Sequence, residues 1–288
     1  MVNRYGEALA AARQALAAFA GTGDEWGQAG ALFIQAQILE QTGEVPAAFR
    51  ALARALRLYR RAGDIASQGR TLTTLGRWLD EYRASPRAGT VLRRGLDLLR
   101  AAGDRRELAR GLRRAGLWHE RHGRVDQALS CYRECLDLIT PLHDVEGQAY
   151  LTYQLGALMV DRPDLGDARG YLTDALKTLR RLDDSRGIGR SLHAMGRLEL
   201  RDGDPVAARG YLLRALSLLR GVPRLAAGAQ RDLGDAYLAT GNAPAAAREY
   251  QAARAAFTAI GDARAAAEVG RRQAGLPVPA VPAPRPPR

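Results

Sequence analysis

A forty-residue period runs through this chain and limits its fold more than any other feature. At that spacing Ala8, Ala48, Ala88, Ala128, Ala168 and Ala208 form one column, which Ala246 continues after a two-residue deletion. A second column reads Phe19, Tyr59, Leu99, Ile139, Leu179, Leu219 and Phe257. Self-similarity on this scale marks a solenoid: one unit is too small to bury its own apolar face, and stacking neighbours completes the core. About six and a half copies fill the array, so a single continuous domain is predicted over residues 1–275, although 288 residues would also suit two globular domains.

Each unit holds two stretches with apolar residues three and four apart, the spacing of amphipathic helices. Leu72, Leu75, Gly76 and Leu79 show the first kind; Leu52, Ala55, Leu56 and Tyr59 show the second. Between the two, Gly43, Gly123, Gly203 and Gly241 mark a turn, with Arg83 and Pro163 where glycine is missing. Between units stands Gly-Asp, at Gly23-Asp24, Gly63-Asp64, Gly103-Asp104 and Gly261-Asp262, while Asp144 and Asp184 keep the second position elsewhere. Glycine ends a helix and aspartate caps the next by accepting its free amides, which explains one acid per repeat better than metal ligation does.

A Leu-Gly pair recurs in the first helix at Leu75-Gly76, Leu155-Gly156 and Leu233-Gly234, softened to Ala115-Gly116, Met195-Gly196 and Gln35-Ala36. Small residues recur in the second helix, in the Ala8 column and seven residues on at Ala15, Ala55, Gly95, Cys135, Ala175, Ala215 and Ala253. This pattern resembles the tetratricopeptide repeat over about residues 5–262. The repeat departs from the usual one in its length and its missing proline column. In this it is similar to the long-helix subtype of animal spindle-orientation adaptors and of sensor arrays in bacterial signalling ATPases. The resemblance implies an all-α, right-handed superhelical solenoid of antiparallel helix pairs, acting as a protein-binding scaffold.

The two ends are irregular. The array opens on a second-type helix near residues 5–21 with no first helix before it, so its apolar side, with Leu9, Leu16 and Phe19, is expected to lack a stacking partner. That predicts either self-association through this helix or a position inside a longer signalling or transcription-regulating protein. At the far end, residues 263–273 read as a capping helix and residues 276–288 as an extended, disordered Pro-rich tail.

Net charge is +12, and of the 43 basic residues only Lys177 is a lysine. A basic field attracts nucleic acid, but these charges are interleaved with acids along every repeat, which makes that reading secondary. Cys131 and Cys135 make no disulfide framework and suit a reducing cytoplasm. The Ala/Leu-rich start is broken by Glu7, Arg13 and Gln14 and falls in register with later helices, so it reads as a repeat helix; no membrane span follows.

Catalytic motifs are not found. His119-Glu120-Arg121-His122 places its histidines three apart, whereas the zinc-protease motif needs four. Gly187-Ile188-Gly189 has no preceding strand to make a dinucleotide loop. The chain therefore reads as a non-enzymatic protein without metal or cofactor.

In tetratricopeptide superhelices the first helices line the concave face, and positions around the Leu-Gly pair touch ligands. Six before the glycine stand Arg70, Arg110, Tyr150 and Arg190; three before, Phe33, Arg113, Tyr153, His193 and Arg231; one after, Arg77 and Arg197. Arginines hold carboxylates through paired hydrogen bonds and rings stack on guanidinium groups, so these columns predict a groove for an acidic peptide or partner protein. The competing reading is that an arginine-rich chain places arginine on any exposed helical face, paired locally with acids. Glu40, Asp80 and Glu120, one turn further on, are the acids expected to orient the arginines.

Overall fold

The computed structural model describes residues 2–162, 164 and 166–276, and these hold fourteen α-helices and no strand. Pro163 and the tail segment 277–288 lie outside the described residues. The chain divides into two compact units after Asp144. In the first lie α1 (Val2–Thr22), α2 (Glu25–Gln41), α3 (Val45–Arg61), α4 (Ile65–Arg83), α5 (Ala88–Ala102), α6 (Arg105–Arg121) and α7 (Val125–Ile139), followed by a 3-10 turn at Thr140–Leu142. The second holds α8 (Val145–Met159), α9 (Ala168–Arg181), α10 (Ser185–Asp202), α11 (Pro205–Leu219), α12 (Pro223–Ala239), α13 (Ala243–Ala259) and α14 (Ala263–Ala274). Within each unit every helix packs on the next, and first helices also meet directly, α4 against α6, α8 against α10 and α10 against α12. The fold is thus an all-α solenoid of consecutive helix pairs.

The pairs close because the Leu-Gly positions leave room for the partner helix. A Cβ added to Gly76 would lie 2.6 Å from Leu92 Cγ, one on Gly116 2.4 Å from Tyr132 Cε1, and one on Gly234 2.5 Å from Tyr250 Cε1. Across that contact Ala48, Ala88, Ala128 and Ala208 are wholly buried, and Cys135 fills a place where alanine stands elsewhere, its thiol donating to the Ala109 carbonyl at 3.1 Å. Helix α1 shows the same faces without a helix in front of them: Ala8 is exposed and Ala15 half-buried. Leu9 and Leu16 do not share that open side, contrary to the sequence expectation, but pack on the first core cluster with Leu32, Ala36 and Leu52. Their position follows from the helical period, which sets the leucines on the side of α1 that meets α2.

Punctuation follows the capping logic. Asp24, Asp64, Asp104, Asp184 and Asp262 each accept the amide three residues on, at 2.8–3.1 Å. Second helices are capped likewise, by Asp167, Asp204 and Asn242. Gly103 ends α5 at φ 69°, a left-handed conformation that side chains disfavour. Where glycine is absent another residue takes the strain: Ala84 at φ 44°, His143 at 55° and Asp183 at 52°. The α4 turn therefore pivots on Ala84, one residue beyond Arg83, which ends the helix.

One carboxylate lies in the packing of the second unit. Asp232 on α12 is 4% exposed, with His193 Nε2 2.7 Å from one oxygen and Arg231 Nε donating to the other at 2.7 Å. Burial opposes its charge, but the His193 hydrogen bond and the charges of His193 and Arg231 outweigh it and hold the carboxyl far below the ordinary aspartate value.

Three outcomes are expected from thermal and denaturant unfolding. Gly116→Ala loses about 1–3 kcal/mol through overpacking against Tyr132, whereas Ala84→Gly gains about 1 kcal/mol by removing left-handed strain. Asp232→Asn loses about 3 kcal/mol at pH 7 by stranding its partners. Because the folded pKa is depressed, that stabilisation is present above the unfolded value of about 4 and lost as pH falls below it, so wild type and variant converge in acid.

Candidate ligand-binding face

Two of the sequence columns prove to be one structural device. The Arg70 guanidinium on α4 lies 4.5 Å from the centroid of the Phe33 ring on α2. On α10, Arg190 lies 5.1 Å from the Tyr153 centroid and 5.5 Å from that of Tyr150, both on α8. In each case an arginine six before the glycine covers the ring three before the small residue of the preceding repeat, Ala36 or Gly156, thirty-seven residues back. Adjacent first helices run side by side and the two positions differ by one turn, which is why the period minus three recurs. Phe33 is 5% exposed and forms the floor beneath its arginine. The Nε atoms of both Arg70 and Arg190 are buried without a hydrogen-bond partner; Arg70 Nη2 donates to the Tyr59 hydroxyl at 3.3 Å. Neither guanidinium has a carboxylate partner among the described residues.

A third such arginine was missed in the sequence. Arg114 stands two before Gly116, in a column that otherwise reads Ile34, Thr74, Gln154, Ala194 and Asp232 and so gives no arginine pattern. Half-buried, it reaches from α6 across to α4, where Nη1 donates to the Thr73 hydroxyl at 3.2 Å. Burial, then the like charges of Arg77, Arg113 and Arg110, push it down to about 10 against the opposite pull of Glu107. Arg113 beside it is exposed.

The remaining candidates are tied to acids. Arg77 pairs with Glu81 at 2.6 Å and Glu40 at 3.3 Å, and Glu40 also accepts the Tyr82 hydroxyl at 2.8 Å. Arg110 pairs with Glu107 one turn back, and Arg197 with Asp161. His193 and Arg231 are occupied by Asp232, and Arg231 approaches Glu268 at 3.7 Å. Of the acids expected to orient arginines, Glu40 does so. Asp80 instead accepts Trp118 Nε1 at 3.1 Å and pairs with Arg121 at 2.9 Å, while Glu120 accepts the Tyr132 hydroxyl at 2.9 Å. Each unit thus carries cations of different kinds: in the first, acids neutralise Arg77 and Arg110, a ring and hydroxyls hold Arg70 and Arg114, and Arg113 stands exposed; in the second, acids neutralise Arg197 and Arg231, and Arg190 lies against two tyrosine rings.

The other chemistry-bearing residues lie in packing. His119 and His122 flank Trp118, ring centroids 4.9 and 4.6 Å away. Burial pushes the Cys131 and Cys135 thiols up to about 11, keeping both protonated at neutral pH. Among the described residues no helix is long and apolar enough to cross a membrane.

No protein-family model and no curated protein matches the sequence. Solved structures do resemble the fold. RapI in its apo form is similar at TM-score 0.69 and 15% identity, over 90% of this chain and 93% of that one. A signal-transduction ATPase with numerous domains and a tetratricopeptide-repeat sensor, from Pyrococcus horikoshii, is similar at TM-score 0.66 and 16% identity, over 86% of this chain. This chain spans 42% of that protein's length. A Rap protein complexed with Competence and Sporulation Factor matches at TM-score 0.54 and 13% identity, over 87% of this chain and 64% of that one. Identities this low speak to architecture alone, and together with the glycine-centred helix pairs they make the fold that of a tetratricopeptide-repeat solenoid.

Proposed function

We propose that this chain is a non-enzymatic scaffold that binds an acidic peptide or an acidic segment of a partner protein along its first helices. The observation that supports the reading recurs in each unit: Arg70 and Arg114 in the first and Arg190 in the second are held by rings and hydroxyls, with no carboxylate at ion-pair distance among the described residues. A cation kept ordered but unpaired has already met the cost of immobilisation, and an incoming carboxylate can take its paired hydrogen bonds at once. In the same columns, acids already satisfy Arg77, Arg110, Arg197 and Arg231, which leaves these four to set orientation more than affinity. The complex of a similar Rap protein with Competence and Sporulation Factor supports a fold suited to capturing a partner. Likeness to an ATPase sensor array supports a second reading, in which the same face is the sensing module of a larger signalling protein.

Fluorescence anisotropy with labelled Asp/Glu-rich peptides checks the primary reading. Arg70→Gln with Arg114→Gln is expected to weaken binding about tenfold or more, ~1.4 kcal/mol. The charge-matched control Arg54→Gln with Arg57→Gln, on the exposed side of α3, is expected to stay within about twofold. Equal losses in both would reduce the attraction to net charge and leave these arginines no specific part in binding.

A further inference from the structure

The second unit contains a cleft of ≈ 210 Å³ walled by Tyr150, Tyr153 and Leu179, with Arg186, Arg190 and Asp184 at its polar end. Its charges are not paired with one another. Asp184 is committed to the start of α10, where Oδ1 accepts the Gly187 amide at 2.9 Å, and no ion pair joins it to either arginine among the described residues. Arg190 lies against both tyrosine rings with its Nε closed off and unpartnered. Arg186 is exposed at the first turn of the helix. The next repeat shows what a completed version looks like: there Arg231 and His193 share the buried carboxylate of Asp232.

We infer that this cleft is a subsite for a single carboxylate carried on an apolar or aromatic carbon skeleton, with Arg190 taking the carboxylate and Tyr150, Tyr153 and Leu179 the skeleton. The inference deepens the scaffold reading and rests on it for the wider ligand. Charge selects the ligand class. Two arginines and one aspartate leave one net positive charge, which a monoanion neutralises; a phosphoryl dianion would leave an excess negative charge beside Asp184. The walls select further, because two rings and a leucine recover apolar contact area that a small hydrated anion cannot supply. Two sources carry such a group: the C-terminal carboxylate of a peptide, or a glutamate side chain within one.

The experiment follows the Arg190 Nε–H signal in the full 15N-labelled chain by NMR. Probes are N-acetylphenylalanine, its amide, the α-amide of N-acetylglutamate, and phenyl phosphate. Carboxylate probes are expected to shift the signal and saturate in the millimolar range usual for fragments of this size, the amide at least tenfold more weakly. Tighter binding by N-acetylphenylalanine identifies a C-terminus as the source, and tighter binding by the glutamate derivative an internal side chain. Acid and amide acting alike, or phenyl phosphate binding more tightly than both carboxylates, would overturn the assignment. The acid–amide contrast needs no variant. Arg190→Gln and Arg190→Lys, each checked for an unchanged melting curve, are expected to abolish and to weaken the tyrosine ring shifts caused by the acid; persistence of those shifts in both would relocate the ligand. An acidic peptide that binds wild type and Arg190→Gln equally, with no Arg190 shift from any probe, sinks the cleft and leaves the scaffold standing. If no acidic peptide binds while N-acetylphenylalanine still shifts Arg190, the scaffold reading fails and the carboxylate site remains.

Discussion

Everything in this molecule depends on how closely two helices approach at the Leu-Gly position. A glycine on the first helix admits Leu92, Tyr132, Leu172, Leu212 or Tyr250 from the second to within ordinary contact, and a single added carbon would already collide. Tight packing at that point lets alanine serve as the usual facing residue, and alanine in turn lets the following pair stack without a bulky core. Large side chains are used sparingly, with Trp78, Tyr59, Tyr132 and Tyr250 among the few fully buried aromatics. The low aromatic content is thus a consequence of the geometry.

Within each unit that geometry brings successive first helices side by side and creates a candidate face. Side chains one turn apart on neighbouring first helices meet, which turns two sequence columns into stacked pairs of arginine on Phe33 and on Tyr150 with Tyr153. Where the preceding repeat offers Thr73 in place of a ring, Arg110 pairs instead with Glu107. A stacked guanidinium keeps its charge and loses its freedom, a useful state for recognising an anion. The acid-paired arginines contribute stiffness; Arg77, clamped between Glu40 and Glu81, is the clearest of them.

Comparison of α1 with its equivalents shows what stacking adds. Ala48 and Ala55 in α3 are completely buried, while at the equivalent places in α1 Ala8 is exposed and Ala15 half-buried. Burial of these alanines is therefore a property of the preceding first helix and not of the residue. Leu9 and Leu16 are partly buried in α1 because they face the helix that follows.

From the sequence alone the period, the helix pairs, the aspartate caps and the small-residue columns could be read, because each follows from local rules of helix formation or from a contact repeated in every unit. The left-handed turn at Ala84 was misplaced by one residue, since only the backbone shows that α4 runs on through Arg83. For the site, the columns located Arg70, Tyr150, Tyr153 and Arg190 but could not say which arginines were free. That distinction depends on whether a carboxylate comes within reach, from the same helix as Glu107 does for Arg110, or from another repeat as Asp161 does for Arg197; none does for Arg190 among the described residues. Arg114 escaped altogether because its significance lies in a hydroxyl one repeat away, Thr73. Local pattern determined the architecture; which arginines met a nearby acid and which met a ring or hydroxyl of another helix, a matter of side-chain placement in the stacked helices, decided where an outside ligand could find charge to bind.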